Sequence, residues 1–227
     1  YNLNKFFFKS ISKKQPFTKV KLAISSDEKI AWHNYKSKWI SNKHSRIYGH
    51  KLRSISQAIL TTSKTIIKDN PRLTVRLNKK SQKHIPIIVI DKNLKIPMNS
   101  RILKEISKKR IIIFTSKKNK KSENLIKSGC EIISCKVNKY NKLNLKSIFR
   151  RIYQLNISDI LVEAGGILFT ELLKNKLVDE IHLFKSNIII GKNGKPAILG
   201  KKFKNLRLTI NEKKNFKEDK YYNYKVG

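Results

Sequence analysis

The sequence predicts a mixed α/β fold: a mostly parallel central sheet flanked by helices, with antiparallel strands toward the C-terminal end. Three observations carry this. Short apolar runs at 58–61, 85–91 and 110–115 alternate with polar and amphipathic segments, the rhythm of strands crossed by helices. Residues 159–191 read as strand, glycine turn, helix and strand again. The last third is strand-rich, which makes the sheet mixed rather than purely parallel.

Residues 1–15 are basic and aromatic without a clear period and read as a linker, so the domain proper is expected at 16–227. Pro16 closes that segment. Val20, Leu22 and Ile24 then alternate as a first strand. Residues 25–27 form a turn, and Ile30 and Ala31 begin a short extended piece. Ser41 is a good N-cap for a helix running to about residue 54, although Gly49 inside it weakens that assignment. Residues 58–61 are a strand, 64–68 a helical turn, and Asp69-Asn70-Pro71 a tight turn. Residues 73–77 look extended and 78–84 form a solvated loop. A buried strand follows at 85–91, a mixed segment at 98–108 and another strand at 110–115. Residues 122–128 make a short helix stopped by Gly129, and 130–134 a strand. Leu145, Ile148, Ile152 and Leu155 share one helix face. Residues 181–190 read as a long strand, 206–210 as another, and 216–226 as an exposed C-terminal antiparallel strand.

The formal net charge is +37, from 52 Lys and Arg against 15 Asp and Glu. Such a surface attracts polyanions. The basic residues are spread over nearly every segment, and most are Lys rather than Arg, the better phosphate clamp. That even spread, with abundant Asn and Ile, points to background composition rather than a specific nucleic-acid site. A basic nucleic-acid-binding module remains the alternative from a different class. Two cysteines, Cys130 and Cys135, lie within one strand-like run; the spacing fits no zinc site and makes a poor disulfide, so free thiols are expected. No apolar run approaches the roughly 20 residues of a membrane span, and the cytoplasm is the expected compartment.

Within 159–191, Ile160, Leu161 and Val162 form the buried strand. Glu163 stands at its end, Gly165 and Gly166 turn the chain, and Leu168, Leu172 and Leu173 repeat at helical spacing. Helix N-terminal N–H groups lack intrahelical partners and suit an anion, and glycines allow close approach. A plain strand-to-helix turn would carry the same local pattern. No zinc-deaminase signature, Walker loop or nucleophile elbow is present. What remains is a set of polar residues near predicted strand ends: Lys21, Ser37, Trp39, Arg53, Thr65, Asp69, Arg76 and Glu163. Singly, each has an ordinary explanation as core, turn or surface residue.

Together they match a pattern. The runs KLAISSDEKIA, SKWIS, HKLRSISQAILTTSKTIIKDNPRLTVR and ILVEAGGILFTELLKNKLVDEIHLF, in this order, resemble the reductase domain of the riboflavin biosynthesis deaminase/reductase. The resemblance covers roughly residues 16–200 and implies a dihydrofolate-reductase-like fold. It implies NADPH as cofactor and reduction of 5-amino-6-(5-phosphoribosylamino)uracil to its ribitylamino product. It implies cofactor contacts at Ala23, Trp39, Thr65, Asp69, Lys92 and the run Gly165, Gly166, Ile167, Leu168, Phe169, Thr170 and Glu171. Substrate contacts are implied at Lys21, Ser37, Arg53, Leu73, Arg76 and Glu163, with Lys21 the expected catalytic group. It further implies a homo-oligomer; the even spread of Lys and the lack of a long apolar run lead to the expectation of no specific nucleic acid and no membrane partner. Residues 1–15 would be the remnant of a linker from a deaminase domain absent here, so no deaminase activity is expected. A reductase of the same fold acting on another pterin or pyrimidine is the nearest alternative. One departure stands out: the family usually has Leu-Asp-Gly after its first strand, and this chain has Ser26-Asp27-Glu28.

Overall fold

A computed structural model describes residues 2–33, 40–78, 81–200 and 206–227. In chain order the elements are α1 (Asn2–Lys13), β1 (Phe17–Ile24), β2 (Lys29–Ala31), α2 (Lys43–Ser54), β3 (Ala58–Thr62), α3 (Ser63–Asp69), β4 (Val75–Asn78), β5 (Ser81–Lys83) and β6 (Ile87–Ile90). A 3-10 helix (Leu103–Lys108) precedes β7 (Ile111–Thr115), α4 (Lys120–Lys127), β8 (Glu131–Ser134), α5 (Leu145–Gln154) and β9 (Asp159–Val162). Last come α6 (Gly166–Lys174), β10 (Glu180–Lys185), β11 (Lys195–Pro196), β12 (Leu208–Phe216) and β13 (Asp219–Val226). The chain divides into two compact units.

The first unit contains the residues up to Phe17 together with Arg53–Leu161. Its strand order is β9-β3-β6-β7-β8, and β3, β6, β7 and β8 pair in parallel. The central strands are apolar on both faces, as parallel strands covered by helices must be: Ile59, Ile87, Val89, Ile111 and Ile113 are all fully buried. Leu125 of α4 and Ile102 and Leu103 near the 3-10 helix close over them. Asn119 caps α4 by accepting from Ser122 N while the Ser122 hydroxyl accepts from Asn119 N. Cys130 and Cys135 are free, and burial pushes the Cys130 thiol up to about 11, where it is inert.

The second unit contains Thr18–Leu52 and Val162–Gly227, with strand order β12-β13-β10-β1. β1 and β10 are parallel; β13 runs antiparallel to both β10 and β12. Tyr48 of α2, Phe184, Phe216 and Tyr221 form its aromatic cluster, with the Tyr48 and Tyr221 rings 4.8 Å apart. Asp219 is buried and accepts from Asn42 N and from the Ser45 hydroxyl at 2.6 Å, tying β13 to the start of α2. Asn42, rather than Ser41, takes the cap position, its side-chain oxygen accepting from Ser45 N.

Five expectations from the sequence differ from this structure. Residues 2–13 of the expected linker are helical, and Phe6 packs its ring 4.5 Å from Phe17, so a tertiary contact supports a helix with weak periodicity. The expected loop at 78–84 contains β5, which pairs with β4. The long strand at 181–190 ends at Lys185, because Asp27 accepts from Ile190 N and Gly191 N and draws that segment into a loop. The strand at 206–210 extends to Phe216, since a tight hairpin pairs Phe216 with Asp219 despite a polar sequence. The C-terminal strand is interior to its sheet, with Tyr221 only 1% exposed. Gly49 lies buried within α2 without interrupting it.

Candidate functional site

In the second unit the chain leaves β9 at Val162 and enters α6 at Gly166. Glu163 is half-buried just after the strand. The two glycines of this turn do different jobs. Gly165 has φ −77° and ψ 172°, ordinary extended backbone, and a Cβ there would meet no protein atom within 4 Å. A Cβ on Gly166 would lie 2.6 Å from Pro196 O and 2.7 Å from Ala197 O. Gly166 is therefore required by packing against β11, whereas Gly165 leaves the main chain open to a neighbouring group.

α6 begins without a side-chain cap, so its first N–H groups have no partner within the helix. Leu168, Phe169 and Thr170 are buried, and the Thr170 hydroxyl donates to Gly166 O at 2.7 Å and accepts from Leu199 N at 2.9 Å. Ile167 is 53% exposed and Glu171 is half-buried, with Lys174 3.7 Å from its carboxylate.

The turn after β1 is built around Asp27. Its carboxylate accepts from the Ser25 hydroxyl at 2.6 Å, Ile190 N at 3.1 Å and Gly191 N at 2.8 Å. Burial alone would raise the Asp27 carboxyl, but these bonds outweigh it and hold the group below the usual carboxylate range. Glu28 stands where the resembling family has glycine, and its φ is 61°. The backbone at Glu28 is thus left-handed, a conformation that its side chain disfavours. Lys21 and Ala23 lie half-buried on β1, in register with His182 and Phe184 of β10. The Lys21 ammonium sits 5.9 Å from the centre of the Phe184 ring.

In the first unit the carboxyl ends of β3 and β6 lie on one edge of the parallel sheet, where such folds collect ligand-binding residues. Thr62 ends β3 and caps α3 by accepting from Thr65 N; the Thr62 and Thr65 hydroxyls are 3.1 Å apart. Asp69 is exposed at the end of α3, and Asn70 turns the chain with φ 39°. Leu73 is buried with φ 53°. Arg76 is exposed on β4. Arg53 is half-buried and donates from Nη1 to Thr74 O at 2.9 Å, so part of its fork holds the segment leading into β4. Lys92, after β6, donates from its ammonium to Asn141 O at 2.9 Å.

Ser37 and Trp39 lie outside the described residues. Sequence reasoning gives no sign of what Asp27 does: as letters, Ser26-Asp27-Glu28 is a turn and a departure from the family pattern, and only the N–H groups of Ile190 and Gly191 that its carboxylate meets in the fold distinguish it. Among the described residues, no His, Cys, Asp and Glu cluster could hold a metal ion, and no helix is long and apolar enough to cross a membrane.

Residues 16–222 match the family model of the RibD C-terminal domain. The chain is 33% identical over 219 residues to the riboflavin biosynthesis protein RibD of Aquifex aeolicus, covering 96% of this chain and 60% of that protein. It is 30% identical over 177 residues to a 5-amino-6-(5-phosphoribosylamino)uracil reductase of Buchnera aphidicola, covering 73% of this chain and 83% of that one. Among solved structures, RibD of Acinetobacter baumannii superposes with a TM-score of 0.84 at 22% identity, over 100% of this chain and 62% of that one, which shows the fold.

Proposed function

Because the chain belongs to the family of RibD C-terminal domains, we propose that it reduces 5-amino-6-(5-phosphoribosylamino)uracil to 5-amino-6-(5-phosphoribitylamino)uracil, with NADPH as cofactor. The observation that carries this reading is the strand–glycine–helix turn at Gly165, inside a chain with family membership over nearly its whole length. A relative with 30% identity bears the name of that reductase.

Gly165 is compatible with the cofactor: a Cβ there would meet no protein atom within 4 Å, so the main chain is open to a ligand's approach. The unpaired N–H groups at the start of α6 suit its phosphates. In the second unit Ala23 and the run from Gly165 to Glu171 are assigned to the cofactor; in the first, Thr65, Asp69 and Lys92. When bound, the nicotinamide would supply the hydride to C1′ of the ring-opened imine form of the ribosylamino group, in which the C1′–ring oxygen bond has already broken and that oxygen is a hydroxyl.

The chain's own residues bind and orient the substrate. Arg53 and Arg76 carry guanidinium forks that match a phosphate, with Arg76 the more accessible. The Glu163 carboxylate accepts N–H bonds from the aminouracil edge. As the imine accepts hydride at C1′, its C=N electron pair moves to the nitrogen and takes a proton, and the Lys21 ammonium is assigned to assist that charge development. Self-association is part of the same proposal.

The direct test follows absorbance at the nicotinamide band with the phosphoribosylamino-pyrimidine present. Substrate-dependent oxidation of NADPH is the expected result. No turnover by folded protein with either NADPH or NADH overturns the proposal.

A further inference from the structure

Lys109 is an unusual residue to find in the core of the first unit. Its side chain is 0% exposed, and burial works to lower its pKa. A buried ammonium is costly unless bonded, and two bonds hold this one: Nζ donates to Arg72 O at 2.7 Å and to Glu105 Oε2 at 2.9 Å. Glu105 is also 3.7 Å from Arg72 Nε and 3.9 Å from His84 Nδ1.

The carbonyl that Lys109 grips belongs to a strained segment. Asn70 and Leu73 both have positive φ, at 39° and 53°. A leucine in the left-handed region persists only where its surroundings over-determine it. Three tethers do so here. Arg101 N donates to Asn70 Oδ1 at 2.8 Å, Lys109 holds Arg72 O, and Arg53 holds Thr74 O. The Lys109 bond lies immediately before Leu73, and Arg76 follows three residues later.

We propose that Lys109 is a positioning residue for substrate: its bond to Arg72 O sets the Leu73 backbone and thereby the aim of Arg76. The proposal rests on the reductase reading for its kinetic consequence, though not for its structural one. Glu105 keeps the ammonium charged and bonded, and the grip on the loop belongs to Lys109.

The test compares Lys109→Met with Glu105→Gln, which removes the carboxylate charge and keeps the Lys109 donor. Amide hydrogen exchange across residues 70–76 should speed in Lys109→Met and stay near that of the unmodified chain in Glu105→Gln. In steady-state kinetics Lys109→Met should raise KM for the phosphoribosylamino-pyrimidine about tenfold, as loss of one charge-assisted bond implies. Its kcat should stay within about twofold and its NADPH affinity should not change; a role confined to stability would lower kcat through lost active protein and leave KM alone. Lys109→Arg, which restores a donor, should recover most of the KM. If Lys109→Met does not fold, Lys109→Met/Glu105→Met removes both charges together and takes its place. Unchanged exchange at 70–76, or equal effects of the Met and Gln variants, overturns the proposal. An unmodified chain that shows no turnover while its Lys109→Met variant shows faster exchange at 70–76 sinks the reductase reading and leaves the tether standing.

Discussion

Gly165 and Gly166 are adjacent, yet substituting them should have opposite consequences. A Cβ at position 166 would lie 2.6 Å and 2.7 Å from two carbonyl oxygens of the segment at β11, closer than real contacts allow. The backbone at Pro196 and Ala197 must move, and overpacking of this kind costs about 1–3 kcal/mol. For a chain of this length each kcal/mol lowers Tm by roughly 2–4 °C, so Gly166→Ala should lose between about 2 and 12 °C. At position 165 the backbone is extended and the space is open. The cost of Gly165→Val is then limited to a poorer helix cap, below about 1 kcal/mol. Its side chain would occupy the opening assigned to the cofactor. Thermal unfolding and a fluorescence titration with NADPH, run on both variants, separate stability from binding. The expected result is a folded Gly165→Val protein that no longer binds NADPH and a destabilised Gly166→Ala protein. Unchanged NADPH affinity in Gly165→Val, or a Tm loss as large as that of Gly166→Ala, would refute the reasoning.

Three further outcomes are expected. Glu28→Gly should stabilise the chain by about 0.5–1 kcal/mol, the left-handed penalty less the added freedom of glycine in the unfolded state, and a drop in Tm would contradict this. Asp27→Asn should destabilise at neutral pH; because the folded carboxyl titrates below its ordinary range, its contribution is complete above that range and fades as pH falls through the lowered folded value, so urea midpoints of variant and parent should converge as pH falls below the ordinary carboxylate range. Arg76→Ala should lower kcat/KM roughly ten- to a hundredfold with the phosphorylated substrate and far less with one lacking the phosphate, whereas Glu163→Gln should impair both alike; an Arg76→Ala loss that ignores the phosphate would move that role to Arg53.

Some of this protein was determined by local sequence alone. The runs at 58–61, 85–91 and 110–115 are short, apolar and rich in β-branched residues, and they form the parallel strands β3, β6 and β7. The turn from β9 into α6 was likewise legible, because glycines between an apolar strand and a helical repeat leave little choice of backbone. Tertiary structure decided what period and propensity do not encode. Residues 2–13 are helical with Phe6 packed on Phe17, the strand after Glu180 stops at Lys185 where Asp27 takes the next N–H groups, and a polar run became β12 because β13 pairs with it. The same holds at the candidate site. Gly165 and Gly166 are identical as letters and differ only in what a Cβ would strike, and Lys109 is one of many lysines until the fold removes it from water and places Arg72 O within reach. The physical reason is common to all of these. Backbone conformation is a local property of a few residues, whereas burial, close approach and long-range hydrogen bonds exist only once distant segments have met.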